Sequence, residues 1–307
     1  MVRREGDQAV AGLLRRTRPD VVVQSAALMS PWALGGREDP VGVALATAGL
    51  GLRLPLQIPI LLATMRAVRD VGFDGQVANL SFPDATHPLL GRLGLAPTIG
   101  LGNVAMYLLR ARAALRSELG PDAPLPLIRV AGEHGTVYDV MGAGPNGDPA
   151  AGPWVWLGDD DGPVTRRDDL AYSGPSIPPT AVFNAVTAAA SLPILLALLP
   201  GADPLRWSAP GPLGLMGGYP VRIAGASVTL DLPDGVDLDD CRRMCTAAAA
   251  GDGIERIDDD GTVYFTDAAQ AAVRAVAPDL AEPFTVEDAD ARAARLLDLI
   301  GSAARPA

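Results

Sequence analysis

Leu127-Ile-Arg-Val-Ala-Gly-Glu-His134-Gly135 is a short apolar run that closes on a glycine, an acid, a histidine and a second glycine. Short apolar runs bounded by glycine read as buried strands, so His134 falls at a strand end, on backbone that Gly132 and Gly135 keep open. Two histidines exist in the chain, and there is no lysine. The missing lysine removes a Schiff base, a P-loop grip on phosphate and any Tyr-x-x-x-Lys reductase pair. Histidine is the side chain whose ordinary pKa lies nearest neutrality, which makes His134 the candidate acid/base. The structural alternative is a histidine satisfied by a backbone carbonyl.

Upstream, Asp20 precedes Val21-Val-Val-Gln-Ser25-Ala26-Ala27, an apolar run expected to be a strand covered on both faces. Residues 9–18 suggest a short amphipathic helix. Residues 55–71 suggest another, with Ile58, Leu61, Leu62, Met65 and Val68 on one face. Gln76-Val-Ala-Asn79 is a second strand, and Pro83-Asp-Ala-Thr-His87-Pro88 opens a helix. His87 is expected to cap or to face solvent there. Thr98-Ile-Gly-Leu-Gly-Asn103 is a third strand, followed by a helix over 104–119. Such alternation predicts a parallel sheet, whose ligands sit beyond the carboxyl ends of the strands. Asn79, Asn103 and His134 all stand at such ends. Beyond His134 the pattern changes to α+β: hairpins and loops over 137–162, an alanine-rich helical stretch over 178–199 and a linker over 200–212. Alternating strands, a helix, a hairpin at Asp258-Asp-Asp-Gly261 and a closing helix follow.

The chain has 307 residues, 49% of them hydrophobic and 5% aromatic, with a net charge of −11. That length accommodates two domains, here 1–102 and 103–307. The negative charge argues against nucleic acid and against an anionic membrane surface. The apolar run 185–199 is broken by Pro193 and too short to span a bilayer. The first residues lack the apolar core of a signal peptide, so a cytoplasmic location is expected. Cys241 and Cys245 stand four apart in a helical run and are expected to be a reduced structural pair, with no metal bound. Asp159-Asp-Asp161 and Asp258-Asp-Asp260 sit beside glycine and read as solvated turns. Trp154 and Trp156 alternate and are expected to share a face.

These residues resemble the lactate/malate dehydrogenase superfamily. The likeness lies in the strand from Asp20 into Ser25-Ala-Ala27, and in Ile58-Pro59. It continues in Asn79 with Pro83-Asp84, in Gly100-Leu-Gly102-Asn103, and in Gly-Glu-His134-Gly unaltered. Gly253-Ile-Glu-Arg256-Ile resembles a hairpin of that family. The resemblance covers residues 20–140 and, more loosely, 210–300. It implies a partial Rossmann-like parallel sheet followed by an α+β dehydrogenase-like C-terminal domain. It also implies an NAD- or NADP-dependent oxidoreductase acting on a small hydroxyl or carbonyl substrate, assembled as a homo-oligomer through helix faces such as 55–71. His134 would be the acid/base and Asn79 a donor to the reacting oxygen. Asn103, Arg37 and Arg110 would face the substrate side, and Ser25, Ala26 and Ala27 the nicotinamide.

Departures from the family are as informative. Its Gly-x-Gly-x-x-Gly turn belongs upstream of Val21, where there is no room, so cofactor binding should be weak. A truncated or misplaced start, or genuine loss, would account for this. The match at Gly142-Ala-Gly144-Pro-Asn-Gly147 continues into Asp-Pro and opens no helix, and is a decoy. The family's aspartate that orients the histidine is replaced by Ala105, and its carboxylate-gripping arginine by Leu108. Without them an imidazolium lacks its partner and a carboxylate its bidentate clamp, so the substrate should not be a simple 2-hydroxy acid. An aspartate at 105 would restore the partner if the helix aimed it at His134. The competing expectation is a non-catalytic relative kept as a scaffold or partner subunit.

Overall fold

The computed structural model describes residues 2–142, 144, 151–159, 163–178 and 180–303. Most of the Gly142–Gly147 decoy, and Asp160 and Asp161, lie outside the described residues. The first half runs α1 (Val2–Thr17), β1 (Val21–Gln24), α2 (Pro40–Thr47), α3 (Ile58–Val71), β2 (Gln76–Asn79), α4 (Pro83–Gly91), β3 (Ile99–Gly100) and α5 (Asn103–Leu119). Pro59 stands in the first turn of α3, and Gly72 stops it in the left-handed region at φ 63°. The three strands form a parallel sheet in the order β1-β2-β3, with Val21 opposite Gln76 and Ala78 opposite Ile99. Each parallel pair needs a crossover, and the intervening helices supply it. β1 is an edge strand with Val23 47% exposed, so it is not covered on both faces as its uniform apolarity suggested.

The second half runs β4 (Ile128–Ala131), α6 (Val137–Met141), β5 (Trp154–Leu157), β6 (Thr165–Arg166), α7 (Val182–Ala197), β7 (Leu205–Pro210), β8 (Gly218–Ala224) and β9 (Ser227–Leu230). It closes with α8 (Leu238–Ala248), β10 (Ile254–Ile257), β11 (Val263–Phe265), α9 (Asp267–Arg274) and α10 (Ala289–Ala303). β4-β5-β6 and β7-β8-β9 are antiparallel sheets joined by a bridge between Gly132 and Gly218, and β10-β11 is a hairpin. The whole is a mixed α/β fold with one small parallel sheet and several antiparallel ones. β7 lies inside the stretch expected to be a linker. Pro204 and Pro210 bracket it and hide it, yet proline is tolerated at strand ends. Trp154 and Trp156 pack edge to face at 6.0 Å. Cys241 and Cys245 are buried and free.

The cores do not divide at residue 102. One joins Leu45, Leu54, Ile58 and Leu61 to Val273, Phe284 and Leu296, so the C-terminal helices return onto the first hundred residues. A second surrounds Val104, Ala105, Tyr107 and Leu108 of α5, with β4 and β7. The face of α3 expected to meet a partner subunit is spent within the chain: Ile58, Leu61, Leu62 and Met65 lie in the first core, and α1 covers Ala67 through Ala11 and Leu14. Among the described residues no helix is long and apolar enough to cross a membrane.

Candidate functional site

β4 carries the chain into Gly132 and Glu133. Tyr107 of α5 donates its hydroxyl to the Glu133 carbonyl at 2.8 Å. The Glu133 carboxylate accepts from the Gly135 amide at 2.6 Å and so caps the single helical turn His134–Thr136. These bonds fix the strand end and turn the His134 ring into a cavity, with 24% of the side chain exposed. His134 Nδ1 lies 2.7 Å from Asp252 Oδ2. Asp252, 118 residues further on, sits in the tight turn between α8 and β10 and is itself buried. Two backbone segments must touch for this pair to form. A Cβ on Gly135 would collide with the Ala248 carbonyl, and one on Gly49 with the Asp252 carbonyl. Glycine at both positions is what lets the Asp252 turn approach.

The opposite flank of His134 comes from the β2–α4 turn. Phe82 adopts φ 47° and ψ 59°, left-handed and unusual for a bulky residue. That conformation sets the Phe82 ring edgewise against His134 at 5.1 Å, and Thr86 anchors the Phe82 carbonyl through its hydroxyl at 2.9 Å. Asp84, 1% exposed, accepts a 2.7 Å bond from Asn103 Nδ2 at the start of α5.

Burial disfavours an imidazolium at His134. The charge and hydrogen bond of Asp252, with Asp84 behind, outweigh it and raise the histidine above its ordinary pKa. Burial pushes the Asp84 carboxyl up to about 6, although His134 and Asn103 pull it down. Glu133 is pushed well above the carboxylate range by burial and then by Asp252 and Asp84. The carboxylate on Nδ1 selects the tautomer protonated there, which leaves Nε2 to exchange a proton with a ligand.

The cavity measures about 1130 Å³. Ser25, Ala26 and Ala27 beyond β1 line it, as do Asp84, Asn103, His134 and Asp252. Trp32, Tyr138 and Phe183 form an aromatic wall, with Trp32 edge-on to Phe183 at 5.6 Å. Arg53 also reaches the cavity. Among the described residues, no group of three or more His, Cys, Asp and Glu side chains has the arrangement to hold a metal ion.

Several expected site residues are elsewhere. Asn79 is fully buried and outside the cavity wall: its Nδ2 donates to Thr86 Oγ1 and His87 Nε2, and its Oδ1 accepts from the Ser81 amide. It organises the β2–α4 turn and has no group left for a reacting oxygen. His87 is buried too, not capping or at the surface: Nδ1 donates to the Gly211 carbonyl at 2.7 Å, and burial lowers its pKa to about 4. Arg37 pairs with Asp39 at 2.6 Å and donates to the Ile300 carbonyl, bracing α10 away from the cavity. Arg110 is buried and donates to the carbonyls of Gly142, Ala171, Tyr172, Gly174 and Pro175, so it holds a loop rather than a ligand. Ala105 and Leu108 lie in the second core and not on the cavity wall. Asp84, Asp252 and Arg53 are the site residues that sequence reasoning missed. Arg53 had a usable signal, a lone charge in an apolar run. Asp252, between Gly251 and Gly253, looked like an ordinary turn aspartate.

No known family model matches the chain, and no curated protein does. Among solved structures it is similar to one described as a "putative glucosidase lplD" from Bacillus subtilis. The identity is 12%, over 92% of this chain and 83% of that one, with a TM-score of 0.43. This is a distant fold relationship and carries no argument about activity.

Proposed function

We propose that the chain supplies the acid/base and substrate-holding part of an oxidoreductase that interconverts a hydroxyl and a carbonyl in a small molecule. The observation that carries this reading is the His134–Asp252 pair at 2.7 Å on the wall of a cavity large enough for a substrate and one ring of a cofactor. In the oxidising direction His134 Nε2 takes the hydroxyl proton, and Asp252 stabilises the resulting imidazolium. Phe82 and the aromatic wall give that exchange partly apolar surroundings. A nicotinamide, when bound, supplies the hydride acceptor. Ser25, Ala26 and Ala27 fit one end of such a group. Among the described residues, no glycine-rich turn between a strand and a helix fits its pyrophosphate. The fit is therefore confined to the nicotinamide end.

The test is appearance of NADH or NADPH absorbance when the protein is offered the oxidised cofactors with hydroxylated substrates, parent beside His134→Asn. Activity equal in the two would end the acid/base assignment. No turnover with any substrate would leave the scaffold reading in its place. Because the pyrophosphate fit is missing, NADH should bind weakly. A dissociation constant in the low micromolar range by calorimetry would contradict that expectation.

Assembly as a homo-oligomer belongs to the same proposal. With α3 covered, the uncharged α7 offers Leu192 and Leu196, more than half exposed. An identical α7 brings no opposing charge to that seam. Light scattering at tens of micromolar should give a multiple of the 31.7 kDa chain, and a monomeric mass would refute the oligomer.

A further inference from the structure

We infer that the cavity beside His134 takes a polyhydroxylated organic anion: Arg53 receives the anionic group, and the Asp84–Asn103 pair receives a hydroxyl other than the one at His134. The inference rests on the cavity being a substrate site, as proposed above, but on no cofactor and no hydride step.

Arg53 is the one charged residue between Asp39 and Arg66, in an otherwise apolar stretch. Its Nη1 donates to the Pro31 carbonyl at 3.2 Å, while its buried Nε meets no acceptor among the described residues. A guanidinium presents a planar fork of donors that matches a carboxylate or phosphate. A buried donor left unmet is costly, so an anion at this wall of the cavity is the complementary partner. The clamp expected in place of Leu108 thus enters from a different segment.

Asp84 and Asn103 present the opposite polarity. They are 1% and 3% exposed, and their mutual bond leaves Asp84 Oδ2 and Asn103 Oδ1 without donors among the described residues. Two neighbouring acceptors, both buried and both on the cavity wall, call for a ligand hydroxyl. Arg53 and the Asp84–Asn103 pair come from different segments and line the same cavity as His134 and Asp252. A ligand that satisfies both carries an anionic group and a hydroxyl besides the one at His134. A monohydroxy acid leaves Asp84 and Asn103 unmet.

The test is calorimetric binding without any cofactor. The probes are gluconate, 2-hydroxyhexanoate, which keeps the carboxylate and the first hydroxyl, and sorbitol, which lacks the anion. Gluconate, with hydroxyls at every spacing, should bind at least about tenfold tighter than either, the worth of one charge-assisted hydrogen bond. Arg53→Gln should weaken gluconate and 2-hydroxyhexanoate together by about tenfold and leave sorbitol unchanged, with Arg53→Lys between. Asp84→Asn should weaken gluconate and leave 2-hydroxyhexanoate unchanged. Thermal unfolding checks each variant, and Asn103→Ser reports on the same subsite should Asp84→Asn fail to fold. Equal affinities for the three probes, no binding of any, or folded variants that bind like the parent would each overturn the inference. Gluconate binding without hydride transfer would sustain it while removing the dehydrogenase reading. Hydride transfer with another substrate and no gluconate preference would do the reverse.

Discussion

Alanine at His134 should lower turnover by about two to four orders of magnitude, the usual worth of a positioned acid/base, and Asp252→Asn should lower it by nearly as much. Asp252 accepts from Nδ1 at 2.7 Å and is buried against the backbone of the Gly49 turn. An amide there presents a donor in place of a second acceptor lone pair, frees the ring to take the other tautomer and withdraws the charge that raises the histidine. The pH profile separates the two effects. A base works only once deprotonated, so alcohol oxidation rises with pH through the pKa of His134. With asparagine at 252 that limb should move to lower pH while the plateau drops. The two changes act on one unit, so the double variant should be little worse than His134→Ala alone. A folded Asp252→Asn protein that keeps the parent turnover and the parent limb would remove Asp252 from the mechanism.

Local chemistry and tertiary contact divide what could be read in the chain. Val21–Gln24, Gln76–Asn79 and Ile99–Gly100 were legible as parallel strands because helical runs separate them. His134 was legible because glycines flank it at a strand end. Its partner was not, since Asp252 reaches it only through the return of the C-terminal segment onto the first half, and no periodicity encodes that return. Arg110 and Arg37 misled for a related reason. An arginine beside a candidate site is as readily consumed by carbonyls or a neighbouring aspartate as by a ligand, and only the folded chain tells the two apart. Asn79 misled because its amide is fully used within its own turn.

Ala105→Asp brings these strands together and should fail as a rescue. At the level of sequence, an aspartate two residues after Asn103 restores the orienting carboxylate that His134 lacks. In the fold, Ala105 is fully buried among Ile99, Leu101, Val104 and Leu108, behind the cavity wall and not on it. A carboxylate placed there leaves water without gaining a partner, and an uncompensated buried charge costs about 3–5 kcal/mol. That is a large share of the stability of an ordinary domain. The expected result is a marked fall in the urea midpoint, recovered partly at low pH, where the new carboxyl is protonated and its raised folded-state pKa no longer penalises folding. Turnover per folded molecule should not rise, because Asp252 already occupies Nδ1. If Ala105→Asp were as stable as the parent and turned over faster, α5 would have to present residue 105 to His134, and the assignment of Asp252 as the orienting carboxylate would be wrong.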